Sequence, residues 1–174
     1  MPLTRRSLVQ RGSMLLAAGP LLAAAQPLFA QSPPPAPSPS KIPDKGPKLD
    51  AELVRQFVGA AHGNLEKTRE LFASQAALIN ATWDWGGGDW ETGLGGAAHM
   101  GNQEIARFLL SQGARMDVFA AAMLGKIEIV KAFLADDPSV ANLKGPHGIP
   151  LVRHAIAGKQ QMVVDLLVAA GAQV

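Results

Sequence analysis

The sequence predicts an all-α fold, a solenoid of about four helix-turn-helix units covering residues 50–174. Three observations carry this. A short tetrad occurs four times, as Ala60-Ala61-His62-Gly63, Ala98-His99-Met100-Gly101, Ala122-Met123-Leu124-Gly125 and Ala155-Ile156-Ala157-Gly158. Eight and nine residues after each glycine stands an apolar pair: Leu71-Phe72, Leu109-Leu110, Phe133-Leu134 and Leu166-Leu167. Five residues after it stands Thr68, Ala106, Val130 or Val163. A pattern that returns in register marks a repeat architecture and moves the functional question towards binding.

Each glycine is placed to end the first helix of its unit, where a left-handed residue is common and glycine has no Cβ to clash. In unit one, Glu52, Arg55, Glu66, Lys67, Arg69 and Glu70 suit a polar N-terminal cap. Between Gly63 and Gly101 the spacing is 38, and the extra residues fall in 83–92, a stretch holding all three tryptophans. Between Gly101 and Gly125 it is only 24, so a turn is missing there. Asp117 then follows Gly113 closely and serves as N-cap of the next helix, its carboxylate accepting from free first-turn N–H groups. Unit four ends in the apolar run 162–168, a poorer cap. Alanines on the first helices, among them Ala97, Ala98, Ala121 and Ala155, permit close approach of neighbouring units.

The last spacing, 33 from Gly125 to Gly158, together with Glu128-Ile129-Val130-Lys131-Ala132-Phe133-Leu134 and Glu104-Ile105-Ala106-Arg107-Phe108-Leu109-Leu110, resembles the ankyrin-repeat family, whose period is about 33 residues. The slot that usually reads Thr-Pro-Leu-His reads Thr92-Gly93-Leu94-Gly95 in unit two and Ile149-Pro150-Leu151-Val152 in unit four. No unit carries the full box. The resemblance implies a partner-binding concave face at the two residues before each glycine: Ala61 and His62, His99 and Met100, Met123 and Leu124, Ile156 and Ala157.

Residues 1–30 stand apart from this array. Thr4-Arg5-Arg6-Ser7 precedes an alanine-rich apolar run from Met14 to Ala25, interrupted by Gly19-Pro20. This resembles a bacterial twin-arginine signal, which implies a periplasmic or secreted protein, with cleavage after Ala25 or Ala30. The run is short for a membrane span, so no stable span is expected once it is removed; retention as an anchor is the alternative. Residues 31–49 form a proline-rich tether that cannot build a core.

Net charge is +2, but Arg5, Arg6 and Arg11 lie in the signal; cleavage at Ala30 leaves a mature net charge of −1. The repeat region has no basic stripe, which argues against nucleic acid. The absence of cysteine removes disulfides, thiol catalysis and thiolate metal sites.

The candidate contact residues are Trp83, Trp85 and Trp90 of the insertion with His62, His99, Met100, Met123 and Leu124 of the expected concave row. Tryptophan buries a large area at small entropic cost and is enriched at binding hot spots. Trp90, next to the following helix, is expected to be the most buried of the three. The leading expectation is therefore a non-catalytic protein-interaction module; a small-ligand or carbohydrate site lined by Trp83, Trp85 and Trp90 is the alternative. Four histidines, His62, His99, His147 and His154, invite a metal or acid–base reading; His62 and His99 come from adjacent units, but no third ligand has a repeat-defined position beside them, so neither a metal nor a cofactor is expected. Gly86-Gly87-Gly88 lacks the lysine and hydroxyl residue of a phosphate loop.

Overall fold

In the computed structural model, residues 46–174 are described; the expected signal at 1–30 and the expected tether as far as residue 45 lie outside them. The described residues form eight α-helices and one two-stranded hairpin. The helices are α1 Ala51–Ala60, α2 Leu65–Ser74, α3 Gly93–His99, α4 Gln103–Ser111, α5 Val118–Met123, α6 Ile127–Asp136, α7 Leu151–Ala157 and α8 Gln161–Ala169. Strands β1 (Thr82–Asp84) and β2 (Trp90–Thr92) lie between α2 and α3.

Consecutive helices pack as pairs, α1 with α2 through to α7 with α8, and the first helix of each pair touches the first helix of the next. α3 also reaches α7, past the six-residue α5. Small residues permit that approach. A Cβ on Gly101 would sit 2.3 Å from the Ala157 carbonyl oxygen, and one on Gly158 would sit 1.9 Å from that of Met123. The Gln103 side chain donates to the Gly158 carbonyl at 2.9 Å.

Helix starts follow the side-chain capping rule. Asp50, Asn64, Thr92, Asn102 and Asp117 each accept from the backbone N–H three residues on, Asp117 from Ala120 at 2.7 Å. The expected role of Asp117 is thus observed. Every repeated glycine lies just past a first helix, but only Gly101 (φ 68°) and Gly125 (φ 71°) are left-handed. At the end of α7 the left-handed residue is Lys159 (φ 58°), one position later, and Gly158 instead packs against the Met123 backbone, where a Cβ would not fit.

The hairpin corrects the all-α expectation. The insertion folds back on itself as antiparallel strands, with Trp83 paired to Glu91. Its turn is closed by Asp84, whose Oδ1 accepts from the N–H groups of Gly86 (2.9 Å) and Gly88 (3.1 Å). The three glycines of the turn all have positive φ, which explains why the loop needs them.

Two asparagines play matching parts. Asn80 donates to the Gly113 carbonyl and accepts from Arg115 N–H; Asn142 does the same with Gly171 and Gln173. Each ends a short 3-10 turn after a second helix, at Ala76–Asn80 and Pro138–Asn142. After each asparagine comes a long connection, the hairpin in one case and residues 143–150 in the other. The link from α4 to α5 has no such excursion.

Candidate functional site

The two long connections meet. Asp89, at the end of the hairpin turn, accepts both from the backbone N–H of His147 (2.8 Å) and from its Nδ1 (2.6 Å). His147 has φ 58° inside the turn Pro146–Gly148, a conformation that costs a non-glycine residue of order 1–3 kcal/mol and needs such anchoring. The short link between α4 and α5 leaves room for this meeting, which spans 58 residues of sequence.

Glu91 lies at the centre. Strand alternation turns it inward between outward Trp90 and the helix cap Thr92, and its side chain has no solvent exposure. Four groups surround its carboxylate. Trp85 Nε1–H donates to Oε2 at 2.8 Å. His62 Nε2 is 3.3 Å from Oε2, His147 Nε2 is 3.5 Å from Oε2, and His99 Nε2 is 3.1 Å from Oε1. His62, Glu91, His99 and His147 each offer a ligand atom, and these atoms all lie within 4.8 Å of one another. The rings enclose the carboxylate: His62 to His99 centroids are 4.8 Å apart, His99 to His147 5.2 Å and His62 to Trp85 6.0 Å.

Glycine makes the enclosure possible. A Cβ on Gly96 would lie 2.8 Å from the His62 ring, and one on Gly95 would crowd Glu91 Cγ at 3.3 Å. The glycine-rich start of α3 is therefore the floor of the site.

Hydrogen bonds orient the rings. His62 Nδ1 lies 3.0 Å from the Val58 carbonyl, and His147 Nδ1 faces the Asp89 carboxylate. Both partners only accept, so both Nδ1 atoms carry hydrogen. In their neutral form these rings point a bare Nε2 at Glu91. Burial pushes the Glu91 carboxyl up, but the His62 and His99 imidazoles, as protonated donors, and the Trp85 N–H outweigh it and bring it down to about 2. Glu91 in turn raises His62 above its ordinary value, against the opposing effect of burial. Glu91 Oε1 and His99 Nε2 are buried without a hydrogen-bond partner; their 3.1 Å approach lacks the required alignment.

Of the residues singled out in the sequence, His62, His99 and Trp85 come together here. The other rings diverge, so the three tryptophans do not line one pocket. Trp83 packs half-buried against the N-terminal core, whereas Trp90 is 60% exposed. This corrects the expectation for Trp90, and the reason is register: the inward position of β2 is taken by Glu91. Met100 is 57% exposed, but Met123 is fully buried and Leu124 nearly so. The apolar row is thus not a continuous surface. Glu91 and Asp89 were missed, and His147 was considered as a ligand but not joined to His62 and His99. They lie in the two connections, where repeat spacing assigns no position; the acid-flanked insertion and the odd spacings were the available signals. Repeat spacing assigns His62 and His99 no third ligand; the two connections nevertheless bring Glu91 and His147 beside them.

A hollow of about 300 Å³ at residues 125–129, near the start of α6, brings only Lys126 and Glu128 as charged groups and is a weaker candidate. Among the described residues no helix is long and apolar enough to cross a membrane. Neither known protein families nor curated proteins give a match to this chain.

Proposed function

We propose that this chain is an exported, ankyrin-like binding module and that its ligand is held by the cage of His62, Trp85, His99 and His147 around Glu91. The helix pairs, the stacking of their first helices and the matched roles of Asn80 and Asn142 support the repeat assignment. The Thr4-Arg5-Arg6 segment supports export. One observation carries the binding role: a fully buried carboxylate is surrounded by three histidines drawn from separate segments. Burying so many polar groups costs stability unless something answers them. The reading is of a binder without catalysis of its own.

The test is native mass spectrometry on protein isolated undenatured from the exported fraction. The native chain is expected to carry a bound mass that folded Glu91→Gln lacks. A bare native chain whose Trp85 fluorescence answers neither metal ions nor small anions would remove the reading.

A second reading, capture of a protein through the hairpin, is favoured by exposed Trp90 and Met100. Its ligand would be a broad apolar surface, and Trp90→Ala rather than Glu91→Gln would abolish capture.

A further inference from the structure

We propose that the ligand of this cage is a divalent first-row transition ion of the zinc class, bound by Nε2 of His62, His99 and His147 and by the Glu91 carboxylate. The inference rests on the reading of the cage as the binding site and names what it takes.

The donor set comes first. Three imidazoles and one carboxylate make an N3O site, the combination preferred by zinc and its neighbours and poor for calcium or magnesium, which favour oxygen. Spacing agrees with it. Ligands about 2.05 Å from a tetrahedral ion are about 3.4 Å from one another. The Nε2 atoms of His62, His99 and His147 lie 3.3, 3.1 and 3.5 Å from the Glu91 oxygens. The contacts to the carboxylate, two on Oε2 and one on Oε1, are thus at coordination separations, and with all four ligand atoms within 4.8 Å of one another a small inward movement of the rings closes the shell.

Tautomers add an independent argument. The Val58 carbonyl and the Asp89 carboxylate fix hydrogen on Nδ1 of His62 and His147, which leaves Nε2 as the metal-binding nitrogen. Lone pairs aimed at a carboxylate repel it unless a cation stands between them. One proton on one ring answers one contact. An ion at the centre answers all of them at once, including Glu91 Oε1 and His99 Nε2, both buried without a hydrogen-bond partner. The Asp89–His147 contact has the form of an outer carboxylate that orients a metal-bound histidine. Trp85, donating to Glu91 Oε2, fixes the acid in the same way.

Three of the ligands, His62, Glu91 and His99, come from the stretch α1 to α3 with the hairpin between α2 and α3, and His147 comes from the connection before α7. An ion would tie those two connections together, adding a cross-link to a fold that has no cysteine. His99 and His62 side chains are 10% and 24% exposed, and His147 33%, so the ion has a route from solvent on the His147 side.

The experiment titrates the chelator-treated full chain with zinc by calorimetry and with cobalt(II) by visible absorption. One ion per chain is expected, with tetrahedral cobalt bands that zinc abolishes. His147→Ala lies in a turn at the rim and preserves the core, so it reports on binding even if Glu91→Gln does not fold. It is expected to weaken zinc at least 100-fold, and Asp89→Asn about tenfold. His154→Gln, a histidine outside the cage, is expected to leave affinity unchanged. The proposal is overturned if the folded chain takes up no stoichiometric zinc or cobalt, or if His147→Ala binds as tightly as the native chain. A bound mass of another kind in the exported protein, without cobalt bands, overturns the metal and leaves the binding module standing. A chain with neither bound mass nor metal affinity sinks both.

Discussion

His62 and His154 are held in the same way and meet opposite fates. Each points Nδ1 at the carbonyl four residues earlier, Val58 at 3.0 Å and Pro150 at 3.1 Å. Each therefore turns Nε2 away from its own helix. For His62 that nitrogen meets Glu91, and the ring's proton affinity rises because of it. His154 lies in the C-terminal core against the Phe119 ring, 4.8 Å between centroids, with Nε2 buried and unpartnered. Burial, the largest influence, lowers its proton affinity. A helix can orient a histidine, but only a second segment can give it chemistry. Here that segment is the hairpin, which supplies Glu91.

The largest expected effect follows from the charge. In its protonated form, which Glu91 favours, His62 is the positive partner of the buried carboxylate, and His62→Leu removes it. Breaking a fully buried pair costs about 3–5 kcal/mol; partial exposure of His62 reduces this to about 2 kcal/mol. His154→Leu removes a nitrogen that has no partner along with one hydrogen bond, so its net effect is within about 1 kcal/mol. Urea midpoints of the two variants, measured in chelator, check the contrast. Equal losses would show that both rings serve only as packing.

Acid sharpens the same comparison. The folded His154 has a lowered proton affinity, so below about pH 6.5 the unfolded chain binds a proton that the folded one refuses. Its contribution is neutral above that pH and destabilising as pH falls towards the folded value, with a slope approaching about 1.4 kcal/mol per pH unit. Asp117 faces it from the start of α5, and burial raises that carboxyl, which gives the opposite slope at lower pH. Comparing His154→Leu with the native chain isolates the histidine: the variant should be flatter between pH 6.5 and 5. A curve that stays parallel would mean that His154 gains its proton without cost in the fold.

Much of the helical fold was legible because helix signals are local. The glycines, the apolar pairs and the Asp117 cap are such signals; all four glycines follow a helix, though only Gly101 and Gly125 are left-handed. The site was half legible for the same reason. His62 and His99 occupy repeated positions, so their adjacency could be read from spacing. Glu91 and His147 could not, because their positions depend on a strand register and on a loop that crosses to meet it. Periodicity carries no information about either. The short link between α4 and α5 was visible as a spacing of 24, but its consequence, that the two flanking connections touch, is a three-dimensional fact.

The smallest expected effect separates the tryptophans on the two faces of the hairpin. Trp85 spends its indole N–H on Glu91, and Trp90 projects away with 60% of its surface exposed. Surface substitutions away from special features usually change stability by no more than about 0.5 kcal/mol, and Trp90→Ala should fall in that range. It should also leave zinc affinity untouched, since the backbone at 90 keeps its strand pairing and Glu91 stays inward. Trp85→Ala removes a hydrogen bond to a buried carboxylate and should weaken zinc several-fold as Glu91 loses its orientation. Thermal melts and zinc titrations on the two variants check this pair. A loss of about 3–5 kcal/mol for Trp90→Ala, typical of a truncated core aromatic, would mean that the exposed ring is covered in solution. The outer face of the hairpin would then be an interface rather than a free edge. An unchanged melt with lost capture of a protein partner would instead assign the two faces of one hairpin to two ligands, an ion within and a protein without.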